Sequence, residues 1–154
     1  MTDHHLAEFN VARLREPLDA PAMAEFLALF EPINALADSA PGFVWRLTDG
    51  EGDDATAIRP YGDDIIINLS VWESREALWN FAYRSAHLDV MRRRREWLLR
   101  MAEPYFVMWW VPAGYVPPLE EARERLAMLR REGPGPEAFT YRKVYDPDGA
   151  LATV

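Results

Sequence analysis

The sequence predicts an α+β fold, and three observations predict it. Short apolar runs, β-branched or alternating, recur along the chain as strands. Stretches with apolar residues at three- and four-residue steps lie between them as helices. The two patterns follow one another as strand, helix, strand, strand, helix, strand, with an appended helix and strand. A chain of 154 residues is long enough to close a single core, so one domain is expected over residues 1–154.

Residues 6–14 (LAEFNVARL) precede Pro17 and read as the first strand. Met23, Phe26, Phe30, Ile33 and Ala37 then recur at helical spacing behind Asp19 and Pro21, which predicts an Asp-capped amphipathic helix that ends before Pro41 and Gly42. Residues 43–48 (FVWRLT) form the second strand, an acidic turn cluster occupies 49–54, and 55–59 is its returning arm before Pro60, Tyr61 and Gly62 turn the chain. Asp and Gly alternate in that cluster as they do in calcium loops. The repeated Asp/Asn spacing and the distal Glu of an EF-hand are missing, so it is read as a solvated turn.

Residues 65–72 (IIINLSVW) are the third strand, and the two-residue period puts Asn68, Ser70 and Trp72 on one face. Ser74 can cap a helix running towards Met101 with a bend near Ser85. Residues 105–111 (YFVMWWV) lack alternation, which predicts a strand buried on both faces. Pro118, Glu120 and Glu121 open a further helix with the stripe Leu119, Ala122, Leu126 and Leu129. Arg130, Arg131 and Gly133 close it. Residues 138–145 alternate as a last strand. The βαββαβ order is that of a ferredoxin-like antiparallel sheet with both main helices on one face. Its other face needs cover, and a second copy of the sheet is the simplest cover, so a homodimer is expected.

A formal charge of −8 would repel a phosphate backbone, which argues against nucleic acid as a partner. With no cysteine there are no disulfides, thiolate metal sites or cysteine nucleophile. The first residues have neither a basic nor an apolar signal region, and no apolar run reaches the roughly 18 residues of a membrane span, so a cytoplasmic protein with no membrane partner is expected. There is no P-loop, dinucleotide fingerprint or Gly-x-Ser-x-Gly step. His4 and His5 are adjacent and far in sequence from His87, which disfavours a three-histidine metal site. Neither a metal nor a cofactor is expected.

The candidate site comes from the helix after Ser74. At about 100° per residue, Trp79, Tyr83, His87 and Met91 share one ridge. Further along, Arg94 and Arg95 fall inside the apolar arc of Leu88, Val90, Met91, Trp97, Leu98 and Met101. Arg92 and Arg93 lie at its edges. Two guanidinium groups on an apolar arc call for a carboxylate, a dimer partner or an anionic ligand, unless their stems carry the heads to water. His87 titrates near neutrality and stands beside aromatic rings, which makes it the candidate base.

Residues 69–87 (LSVWESREALWNFAYRSAH), set in this order of elements, resemble the dimeric α/β barrel superfamily that includes antibiotic-biosynthesis and haem-degrading monooxygenases. There, a strand ending in a Trp-Glu-Ser-type step enters a helix that carries a His. Residues 41–49 (PGFVWRLTD), the step from Tyr83 to His87, the arginine run before Trp97, residues 108–114 (MWWVPAG) and residues 124–142 (ERLAMLRREGPGPEAFTYR) look more closely like the domain of unknown function 3291 family. Tyr115 stands where a His is expected after Pro-Ala-Gly in that family. In the haem-degrading relatives an Asn on the first strand and a Trp and a His on the second main helix carry the site. By element these would be Asn10, Trp79 and His87.

The resemblance implies a cofactor-independent monooxygenase-like enzyme acting on an aromatic or polyketide-like substrate. In that reading His87, with Tyr83 beside it, takes a phenolic or carbon-acid proton. Arg94 or Arg46 stabilises the anion, and Trp72 and Trp79 hold the ring. Asn10 and Arg95 complete the binding set. The alternatives are a non-catalytic dimeric module holding a small hydrophobic or aromatic ligand, and a haem-binding or haem-degrading relative.

Overall fold

The alternating run near the start becomes the central strand β1, His4–Leu14. One edge of β1 pairs antiparallel with β3, Ile65–Trp72, from Leu6 opposite Trp72 to Arg13 opposite Ile65. Its other edge pairs with β5, Phe106–Pro112, along His4 to Asn10, and with the two-residue β4, Leu98–Leu99, at Arg13 and Leu14. Strand β2, Phe43–Arg46, lies outside β3. The order β2-β3-β1-β5, antiparallel throughout, is that of a ferredoxin-like βαββαβ unit. The computed structural model describes residues 3–50 and 54–152. Glu51, Gly52 and Asp53 of the predicted acidic turn lie outside them.

The two-residue period of β1 sorts its side chains between two cores. Ala7, Phe9 and Val11 join Ile67, Leu69, Val71, Val107 and Trp109 on one face, and Ala122, Leu126 and Leu129 of helix α4, Leu119–Glu132, cover them. On the opposite face Leu6, Trp72 and Met108 pack with Ala37 of α1, Ala24–Asp38, with Leu78 of α2, Arg75–Arg84, and with Phe139. Leu14, Met23, Phe26 and Trp97 close the far end. The arrangement is three layers: two helices, a sheet and a third helix. The sheet face that a second copy was expected to cover is thus covered by the chain's own α4. Among the described residues no helix is long and apolar enough to cross a membrane.

Helix α4 starts and stops where its stripe and caps predict, with Gly133 at φ +77° just past its end. Four other expectations are corrected. Asp19 caps nothing: a 3-10 turn, Pro21–Met23, leads into α1, and the position before it is Ala20. The fixed φ of Pro21 starts that turn without a side-chain cap. Residues 55–59 form a bend and a turn at 56–57 and not a returning arm, with the Asp54 carboxylate accepting both the backbone N–H and the hydroxyl of Thr56. Residues 138–145 form isolated bridges, Phe139 with Met108 and Thr140 with Lys143, in place of a strand.

The largest correction concerns the helix after Ser74. Ser74 does cap it, its hydroxyl accepting the Ala77 N–H at 3.1 Å. The helix then breaks at Ser85, whose backbone is extended at φ −123° and ψ −177°. The Ser85 hydroxyl donates to the Phe81 carbonyl and accepts the His87 N–H, serving the end of one helix and the start of the next. Helix α3, His87–Arg92, and a 3-10 turn, Arg94–Glu96, replace the expected continuation to Met101.

Candidate active site

On the face covered by α1 and α2, β1 presents Leu6, Glu8 and Asn10 in file. The ladder sets Glu8 between Ser70 and Met108, and Asn10 between Asn68 and Phe106. Glu8 is only 3% exposed. Its Oε1 accepts the Ser70 hydroxyl at 2.8 Å, and its Oε2 accepts Asn10 Nδ2 at 2.9 Å. The Ser70 oxygen in turn accepts Trp72 Nε1 at 2.8 Å. The strand alternation that put Asn68, Ser70 and Trp72 on one face therefore builds a relay from the indole to the carboxylate.

Among the described residues no cation forms an ion pair with Glu8, and its burial has a direct electrostatic result. Burial pushes its pKa up to about 7, against the opposing pull of the hydrogen bonds from Asn10 and Ser70. A carboxylate of this kind exchanges a proton near neutrality, which an exposed glutamate does not. At the open side of the row Asn10 is half-buried and Asn68 is exposed, so the polar floor reaches solvent there.

Tyr141 stands over this floor from the turn between Thr140 and Lys143. Its ring stacks on Phe106 at 5.7 Å and 19°, and meets the edges of Trp79 at 5.0 Å and Tyr83 at 6.1 Å. Its hydroxyl is buried without a hydrogen-bond partner. Burial first, and then the negative charge of Glu8, hold this phenol protonated well beyond the usual range. Behind Glu8, Trp72 stacks on Phe81 at 5.2 Å and meets Phe43 edge-on at 5.4 Å.

The sequence-predicted residues divide among three places. Asn10 and Trp72 belong to the Glu8 relay. Trp79 and Tyr83, 4.3 Å apart, belong to the rings around Tyr141. His87 leaves their ridge at the Ser85 break: its ring lies against Phe81 at 4.9 Å, and its Nδ1 is 3.2 Å from the Ala82 carbonyl. Burial lowers the His87 pKa, with the Ala82 carbonyl acting the other way.

The arginines are elsewhere. Arg46 holds Asp38 at 2.7 and 3.1 Å and ties β2 to the end of α1. Arg94 is exposed and donates to the Met91 carbonyl, while the Arg95 carbonyl accepts from Arg15. Arg93, which the helical wheel placed at the edge, carries the network, with Glu96 and Glu25 both at 2.7 Å and its guanidinium 4.7 Å over the Trp97 ring.

Sequence reasoning missed Glu8 and Tyr141. The signal for Glu8 was present: an acidic residue in the middle of a strand that a βαββαβ sheet places centrally, in file with Leu6 and Asn10. Tyr141 had no such signal, because its position depends on a turn in the closing segment. Among the described residues no group of three His, Asp or Glu side chains is placed to hold a metal ion. Two surface hollows, of about 610 Å³ beside Tyr61 and Arg123 and about 340 Å³ beside Trp109 and Pro147, share no lining residue with the Glu8 relay.

No curated protein matches the chain. Solved structures similar to it include SnoaB, a cofactor-independent oxygenase from Streptomyces nogalater, at 17% identity and TM-score 0.45 over 76% of this chain and 99% of that one. A protein of unknown function from Nitrosomonas europaea matches at 17% identity and TM-score 0.46, over 75% and 97%. A DABB family protein with a ferredoxin-like fold from Mesorhizobium loti matches at 14% identity and TM-score 0.44, over 75% and 98%. The family model described as Domain of unknown function (DUF3291) matches residues 5–153, and the chain belongs to that family.

Proposed function

We propose that the chain is a small-molecule enzyme in which Glu8 takes a proton from an acidic phenol, enol or methylene of an aromatic or polyketide-like substrate, and that the resulting anion reacts with dioxygen without a cofactor. The observation that carries this reading is the buried Glu8 carboxylate, held by Ser70 and Asn10 and poised near neutrality. General bases work best when their pKa lies close to the operating pH. For a methylene between conjugated rings the balance is CH2 plus O2 giving C=O plus H2O. The substrate carbon is oxidised, one oxygen atom stays on it and the other leaves as water. Glu8 returns its proton to that leaving oxygen.

In this reading Glu8 replaces His87 as the base. Trp72, Trp79 and Tyr83 supply flat apolar walls, and Asn10 orients the carboxylate. Arg46, Arg94 and Arg95 have no role. The haem reading loses its support, because Asn10 is turned to Glu8 while Trp79 and His87 sit in different ring clusters. The site as read is completed within one chain, and sedimentation velocity decides whether the expected homodimer forms around it.

Oxygen uptake with a panel of anthrone- and hydroquinone-type compounds tests the proposal. Glu8→Gln should slow turnover by about 100-fold or more, whereas His87→Ala should leave most of it. Undiminished turnover in Glu8→Gln overturns the proposal. So does a wild type that binds these compounds and consumes no oxygen, which would make the chain a binding module.

A further inference from the structure

We infer that Tyr141 is the second polar contact of the ligand, its hydroxyl donating to the ligand oxygen that becomes negative when Glu8 takes the proton. This deepens the reading of Glu8 as a base and rests on it for the identity of the proton acceptor. Four observations carry the inference. The Tyr141 hydroxyl is fully buried and has no partner in the folded chain. Buried polar groups without a partner are few in native proteins, and each calls for an explanation. The hydroxyl also contributes nothing to the fold that a phenylalanine would not.

Position supplies the second observation. The Tyr141 ring lies flat on Phe106, which the ladder sets directly beside Asn10, two residues along the strand from Glu8 and on the same face. The charge of Glu8 also acts on the phenol, so the two groups lie near one another on the same side of the sheet. Third, the neighbours of the two groups are rings: Trp79 and Tyr83 beside Tyr141, and Trp72 joined to Glu8 through Ser70. Such rings suit a flat conjugated ligand. Fourth, a phenol kept protonated by its surroundings can only donate to an anion.

The ligand class follows from these two contacts. It is a planar aromatic or enolic compound whose acidic proton and whose acceptor oxygen are conjugated, so that removing the first puts charge on the second. Donation from a buried, preorganised hydroxyl is then stronger to the ionised ligand than to the neutral one. The proton moves from ligand to the Glu8 carboxylate, the negative charge moves from Glu8 to the ligand, and no other reactant is needed for that step.

A nitrophenol, whose visible band reports its ionisation, is the probe. Bound to the wild type below its own pKa, it should show the phenolate band. Tyr141→Phe should melt at the wild-type temperature, bind the probe about tenfold more weakly and lose much of that band. Glu8→Gln should bind the probe as the neutral phenol. Wild-type binding and an undiminished phenolate band in Tyr141→Phe would overturn the inference, as would failure of the wild type to bind the probe at all. The two readings fail separately. Weakened binding in Tyr141→Phe with intact oxygen uptake in Glu8→Gln removes the base and keeps the contact. Lost uptake in Glu8→Gln with normal binding in Tyr141→Phe does the reverse.

Discussion

Glu8 couples stability to proton uptake with a definite sign. Its folded-state pKa, about 7, lies above the unfolded value of 4.5, so the folded chain holds a proton that the unfolded chain releases between those values. The stabilisation is complete below pH 4.5 and is lost as pH rises towards 7, by about 3 kcal/mol. Urea melts across that window should show the decline in the wild type and a flatter profile in Glu8→Gln, with the variant the more stable of the two at pH 8. Oxygen uptake should change in the opposite direction, rising as Glu8 ionises. At this scale the two-residue period put Ser70 and Trp72 on one stated face, while Asn10 came from the family resemblance. The sequence hid Glu8 because a glutamate in an alternating strand reads as a solvent-facing residue. What packs over that face of the sheet buries it, and the strand pattern alone does not state that cover.

Strands and helices with strong periodicity were legible almost to the residue, β3 and α4 above all. Two of the failures, at residues 55–59 and at Ser85, come from a local hydrogen bond overriding a pattern. A wheel drawn from Ser74 to Met101 assumes an unbroken helix, and the Ser85 hydroxyl breaks it. The phase restarts at His87, so His87 leaves the Trp79 ridge and Arg93 replaces Arg94 and Arg95 as the paired cation. Residues 138–145 alternate but form only isolated bridges among the described residues, Phe139 with Met108 and the others within the closing segment. The turn before β2 makes an equally local demand. Gly42 has φ +82°, and a Cβ there would lie 2.5 Å from the Cβ of Ala77 on α2. Gly42→Ala should therefore cost more than about 1 kcal/mol in a denaturant melt, through both strain and collision. Ala77→Gly should return the part due to collision.

Across the whole molecule the sheet is sealed by different partners on its two faces, and the faces should respond separately to mutation. Leu126 is completely buried on the α4 side, among Phe9, Leu69 and Trp109. Leu126→Ala should cost about 2–5 kcal/mol in a urea melt, yet leave the pH midpoint of Glu8 where it was, since Glu8 faces the other way. The sequence was sufficient to count the faces that need cover. It was not sufficient to say what covers the second, because the α4 stripe could equally have met another surface.

The relay from Trp72 through Ser70 to Glu8 also gives the protein an optical consequence. An indole N–H bonded to a hydroxyl that is itself bonded to a titrating carboxylate sits in an electric field that changes when the proton leaves. Emission from Trp72 should shift with a midpoint about pH 7, and that transition should vanish in Glu8→Gln and in Trp72→Phe. The folded chain would thus contain its own indicator dye, readable in a fluorimeter without substrate, label or assay.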